Sequence, residues 1–152
     1  MKRLIVCLLA ALMLCPAALG EGSGRLVIAL GDGAFVVDES GEPVVERGKY
    51  QHIYELTDEG APLSPTRFAV ALESDGGFAL SDESGNPLTE FLYDSLYCQE
   101  GTIYCAADGL YGVLGPDGTV RVPPEYTMIT ANGRGEYLAL RNIPYDETPD
   151  GV

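Results

Sequence analysis

The sequence predicts an all-β chain: short antiparallel hairpin repeats stacked as a small solenoid or propeller-like array, after an N-terminal signal helix. Three observations carry this. Glycine (19) and proline (10) recur too often for long helices. The apolar residues fall in short runs such as "RLVIAL", "AFVV", "RFAVAL", "TIYCAA" and "YLALR", divided by turn residues. The same landmarks then return in the same order three times.

The first twenty residues stand apart. Lys2 and Arg3 precede an uninterrupted apolar run, Leu4 to Leu14, and Pro16 ends it. Ala18 and Gly20 place small residues three and one before a cut at Glu21. This is the layout of a secretory signal peptide, and a run this short does not comfortably cross a bilayer core that takes about 20 helical residues. The expectation is export to the cell envelope or exterior, with no membrane span in the mature chain.

Cleavage leaves enough chain for one domain with a core of its own. It removes two cations and no acid, so the formal charge moves from −14 to −16. Such an excess of carboxylates repels phosphate and excludes nucleic acid as a partner. It suits a soluble, solvated surface or a cationic partner.

The repeat unit opens with a strand and an Asp-Gly pair: Asp32-Gly33, Asp75-Gly76 and Asp108-Gly109. Asp-Gly suits a tight hairpin because both residues tolerate positive φ. After one intervening residue stands an aromatic, Phe35, Phe78 or Tyr111, leading the second strand. A second turn follows at Gly41, Gly85 and Gly118, in "DESGEPVV", "DESGNPLT" and "GPDGTVRV". A third strand runs to Tyr50, Tyr93 and Tyr126, and three residues on come Ile53, Leu96 and Ile129. The aromatics, tyrosines and aliphatics are the expected interlocking core, because one such unit cannot bury its apolar face alone. The units run over approximately 25–65, 66–101 and 102–135, within a repeat domain at 21–142 that ends in a partial unit at 136–142. Residues 143–152 read as an acidic tail or as the interrupted start of a further repeat, since "PDGV" matches the opening of "DGAF".

The stretch "DGLYGVLGPDGTVRVPPEYTMI" resembles the bacterial WG-repeat (KWG-type) pattern. Tyr111-Gly112 matches its aromatic-Gly pair, Asp117-Gly118 its charged turn, and Pro123 to Tyr126 its closing Pro-x-x-Tyr element. The other units carry Phe35-Val36 and Phe78-Ala79 instead, without that proline. The resemblance implies an exported or envelope-associated bacterial protein and no particular activity.

Candidate chemistry is sparse. The mature chain keeps two cysteines, Cys98 and Cys105, which face each other if the chain turns at Gly101-Thr102. An oxidising compartment permits a cross-strand disulfide there; two free, half-buried thiols are the alternative. Paired carboxylates at Asp38/Glu39, Asp58/Glu59 and Asp82/Glu83 lie in or beside turns, where water screens them. No catalytic residue is assigned. A carboxylate-dependent hydrolase needs two carboxyls in environments that separate their pKa values. No cofactor is expected. Calcium is the one cation that oxygen-rich turns suit, but "DESGEP" and "DESGNP" lack the alternating acids of a dedicated loop. His52 is the only histidine, and an edge position is its ordinary explanation. Tyr54 and Tyr97 repeat after the unit tyrosine in two copies, either as core or as a paved binding face. The expected role is a non-catalytic binding or scaffold module for a protein, peptide or glycan. A hydrolase, or a fragment of a longer WG-repeat protein, is the alternative.

Overall fold

The structure, a computed structural model, describes residues 24–31, 33–73 and 76–141. Residues 1–23, which include the expected signal segment, Asp32, Ser74, Asp75 and residues 142–152 lie outside the described residues. The described elements are all β. The first sheet is a meander of β1 (Arg25–Leu30), β2 (Gly33–Asp38) and β3 (Pro43–Tyr50), in the order β1-β2-β3. The second contains β4 (His52–Glu55), β7 (Phe68–Ala71) and β8 (Ala79–Ser81), ordered β4-β7-β8. A small hairpin of β5 (Thr57–Asp58) and β6 (Ala61–Pro62) is inserted between β4 and β7. The third holds β9 (Ser95–Gln99), β10 (Thr102–Ala107), β11 (Leu110–Leu114) and β12 (Val120–Tyr126), consecutive and antiparallel. The fourth pairs β13 (Met128–Ala131) with β14 (Tyr137–Leu140).

The chain changes sheet at one point in every unit. Immediately after Tyr50, Tyr93 and Tyr126, the next N–H donates forward to a later strand. Gln51 bonds the Ala71 carbonyl at 2.9 Å, Asp94 that of Ala106 at 2.8 Å, and Thr127 that of Leu140 at 2.8 Å. The strand holding Ile53, Leu96 or Ile129 therefore belongs to the sheet that follows its tyrosine. The sheets accordingly divide at these tyrosines.

Three apolar clusters lie between successive sheets. Ala34, Val36, Val45 and Tyr50 of the first meet Ile53, Phe68, Val70 and Ala79 of the second. Ala69, Leu80 and Tyr93 of the second meet Leu96, Ile103, Cys105 and Leu114 of the third. Tyr104 and Val113 of the third meet Ile129 and Ala131 of the fourth. Alternate side chains of a strand point to opposite faces, so the second and third sheets each present a backward face to their predecessor and a forward face to their successor. Burial on both faces accounts for continuous apolar runs such as "FAVA", buried at all four positions.

Hydrogen bonds reinforce the stacking. The Tyr50 hydroxyl donates to the Gly85 carbonyl at 2.8 Å, and Lys49 Nζ reaches the same oxygen at 2.9 Å. Arg67 Nε donates to the Pro116 carbonyl at 2.6 Å. The Ala131 N–H donates to the Tyr104 hydroxyl at 2.9 Å. In each case a side chain of one sheet satisfies a backbone group of the next, so the sheets are held at fixed offsets as well as packed.

Candidate functional site

The acidic turns are built as self-contained hydrogen-bonded loops. Asp38 Oδ1 accepts the Ser40 N–H at 2.9 Å, the Ser40 hydroxyl at 2.7 Å and the Glu42 N–H at 3.0 Å. Asp82 Oδ1 repeats this with the N–H groups of Ser84 at 2.9 Å and Asn86 at 2.8 Å. In each turn the glycine three residues on donates back to the aspartate carbonyl at 3.0 Å. Short polar side chains compete for local backbone donors in this way, which is why they favour turns. In the third unit Gly115 takes the aspartate's place, and Asp117 instead accepts the Thr119 hydroxyl at 2.7 Å. A fourth turn of the same geometry, absent from the sequence reading, occurs at Asn132. Its Oδ1 accepts the Arg134 and Glu136 N–H groups at 2.9 and 3.3 Å. The signal was legible: Asn132 and Gly135 keep the spacing of Asp38 and Gly41.

These bonds stabilise the ionised carboxylates. The Ser40 hydroxyl and Glu42 N–H hold Asp38 below its usual range, and the Thr119 hydroxyl and N–H do so for Asp117. Burial works against ionisation of Asp82, but bonds from Asn86 and Ser84 and the charge of Arg67 outweigh it and leave that carboxyl lowered as well. A general acid requires the opposite shift.

Gly85 and Gly118 sit where one sheet docks on the sheet before it. Both adopt positive φ, 72° and 84°. A methyl group at Gly85 would come within 2.5 Å of Val45 Cγ2, and one at Gly118 within 2.6 Å of the Leu88 carbonyl oxygen. Gly41, in the sheet with no described predecessor, has open space around it. Arg25 reaches Glu83 of the next sheet's turn at 3.6 Å. The second "DESG" turn, Asp82–Gly85, thus serves both as a loop and as a point of contact between sheets.

The Asp-Gly pairs differ from one another. Asp108 (φ 52°) and Gly109 (φ 74°) form a two-residue hairpin loop between Ala107 and Leu110. Gly33 instead stands within β2, paired opposite Leu30. The Gly76 N–H donates to the Glu73 carbonyl at 3.3 Å in a wider connection, since β7 and β8 close at Val70 and Ala79.

The proposed core needs one correction. Ile53, Leu96, Ile129, Tyr50 and Tyr93 are buried, and Tyr126 is half-buried. Phe78 and Tyr111 are half-buried and pack against the second and third clusters, whereas Phe35, also half-buried, does not share their structural position. Opposite the unit tyrosine stand Ala34, Phe78 and Tyr111. The stretch from the first turn to the second is one residue shorter in the first unit than in the other two, so Phe35 points to the opposite face.

Of the two readings open for the cysteines, a disulfide or free thiols, the structure has the second: Cys98 and Cys105 are free thiols. The hairpin turns at Glu100 (φ 50°) and Gly101 (φ 71°), one residue earlier than the Gly101-Thr102 midpoint. Cys98 therefore faces Ile103, and Cys105 faces Leu96. Such diagonal neighbours lie about 7–8 Å apart, beyond the usual reach of a disulfide. The Asp58 carboxylate braces this turn from the inserted hairpin. It accepts the Glu100 N–H at 2.8 Å and the Gly101 N–H at 2.6 Å. Burial pushes the Cys105 thiol up to about 11. Among the described residues, no group of three or more His, Cys, Asp and Glu side chains is arranged to hold a metal ion.

The remaining candidate is aromatic. Tyr54 and Tyr97 occupy equivalent positions on β4 and β9 and stay 55% and 39% exposed. Each has ring neighbours: Tyr54 has Phe78 at 5.7 Å and His52 at 6.1 Å, and Tyr97 stacks on Tyr104 at 5.1 Å and 14°. An open depression of about 400 Å³, lined by Gly24, Arg25, Asp38, Glu39 and Ser40, lies beside the first turn. No protein-family model matches the chain, and neither a curated protein nor a solved structure matches it.

Proposed function

We propose that the protein is an exported, non-catalytic binding or scaffold module of the WG-repeat type. Its sheets form one stacked array, propeller-like or solenoidal, and Tyr54 and Tyr97 on successive sheets engage a protein, peptide or glycan. One observation carries this reading: two equivalent tyrosines remain exposed while each is buttressed by a neighbouring ring. A ring held in place and open to solvent offers an apolar face for stacking and a hydroxyl for hydrogen bonding, and little ordering entropy remains to oppose binding.

The turn carboxylates support the same reading. Asp38, Asp82 and Asp117 spend acceptor capacity on their own turns and ionise more readily than usual. That chemistry solubilises an array and does not suit a proton donor in a hydrolase.

The test is a screen of glycan and peptide arrays, followed by titration calorimetry on the hits. Tyr54→Ala and Tyr97→Ala should each weaken binding at least about tenfold, or about 1.4 kcal/mol, with the thermal midpoint nearly unchanged. Hits that bind both variants as tightly as the parent would overturn the assignment of this face.

A further inference from the structure

Among the described residues, two apolar sheet faces have no neighbouring sheet, and they are the two halves of one kind of interface. The forward face of the first sheet packs on the backward face of the second, and the pattern recurs twice more. The first sheet's own backward face carries Leu26, Ile28, Phe35 and Val37, each exposed or half-buried. The fourth sheet's forward face carries Met128, Leu138 and Leu140, all exposed. These residues continue the internal series. Leu26 matches Phe68 and Ile103, which are buried in the first two clusters. Leu138 matches Ala69 and Tyr104, which are buried in the second and third.

We propose that a second copy of this chain covers each face, the fourth sheet of one copy stacking on the first sheet of the next. The argument is continuity with an interface the chain already forms three times. Each copy presents one forward and one backward half, so no other molecule is needed to complete the pairing. Gly41 fits the same role: it has the positive φ of Gly85 and Gly118 but open space where they meet a preceding sheet. The contact is head-to-tail, so copies grow into a ring or an open file instead of stopping at a symmetric pair. An apolar face on a stacked sheet commonly requires such a cover. The chain's formal charge of −14 opposes association, so added salt should strengthen it by screening.

The experiment is sedimentation equilibrium on the full chain and on Leu26→Glu and Leu138→Glu. Both substitutions fall on exposed positions, so folding should persist, and far-UV circular dichroism with thermal melts checks that it does. The parent's weight-average mass should at least double as concentration rises about a hundredfold, and more so at high salt. Each variant alone should remain monomeric, because one half of every contact is blocked. An equimolar mixture of the two should form a one-to-one pair and nothing larger, since one open half remains on each. A parent that is monomeric throughout would overturn the proposal and leave the faces to another occupant. Variants that associate as the parent does, or a mixture that stays monomeric while the parent grows, would overturn it equally.

Discussion

Among the described residues, the second and third sheets are covered on both faces, whereas the first and fourth are covered on one. The contrast is sharp at matched positions. Phe68 of the second sheet is 0% exposed, but Leu26, its counterpart in the first, is 59% exposed. Ala69 is 3% exposed, and its counterpart Leu138 in the fourth sheet is 67%. The apolar pattern is the same in inner and outer sheets. Among the described residues only the presence of a neighbouring sheet differs, so burial at these positions is a property of the interface between sheets and not of the strand itself.

Substitution at matched positions tests this contrast most directly. Phe68→Ala should cost about 3–5 kcal/mol, as expected for a large side chain removed from a packed core. Leu26→Ala in the dilute monomer should stay within about 0.5 kcal/mol. Urea unfolding followed by tyrosine fluorescence measures both, since the chain has no tryptophan. Equal losses at the two positions would break the comparison.

The docking glycines sharpen it. Gly41→Ala should cost about 1–2 kcal/mol, the ordinary penalty of a side chain at positive φ. Gly85→Ala should cost more, because the new methyl also strikes Val45. Similar values at both sites would mean that the second turn does not bear on the first sheet.

A smaller effect belongs to the brace on the β9–β10 turn. Asp58→Asn keeps one oxygen acceptor and loses the charge and the second acceptor, so a loss of about 0.5–1.5 kcal/mol is expected. Hydrogen exchange at Glu100 and Gly101 should quicken, while the amides of β10 stay protected.

The pH dependence follows from carboxylates on the turns of both inner and outer sheets. Asp38, Asp82 and Asp117 are lowered from an ordinary value of 3.8. Below that value the unfolded chain binds more protons than the folded one. Their contribution is therefore present above about 3.8 and is lost as pH falls through the lower folded values. At the alkaline end Cys105 acts in the opposite direction. Its thiol rises from 9.0 to about 11 on burial, so stability falls as pH climbs through that interval, where only the unfolded chain releases the proton. Iodoacetamide should accordingly label half-buried Cys98 before buried Cys105 in the folded protein, and both alike in urea.

Much of this fold is legible in the sequence because local chemistry writes it. Short apolar runs, acid-Gly pairs and the spacing from "DESG" to the unit tyrosine mark strands and turns through φ preferences and side-chain bonds that need no distant partner. Ile53, Leu96 and Ile129 could be picked out for the same reason, being a fixed count beyond each tyrosine. The candidate site was less legible. Tyr54 and Tyr97 repeat visibly, but nothing local distinguishes an exposed ring from a buried one.

The sequence by itself determined the all-β character, the antiparallel hairpins and the turns at Gly41, Gly85 and Gly118. Tertiary structure alone decided which face each residue serves and which sheet each strand joins. The reason is the two-residue period of a strand. One residue fewer between the turns of the first unit sends Phe35 to the face opposite Phe78 and Tyr111, and a turn one residue early parts Cys98 from Cys105. "DESG" is likewise a turn by its own chemistry, but it becomes a docking point only where a preceding sheet brings Val45 against Gly85.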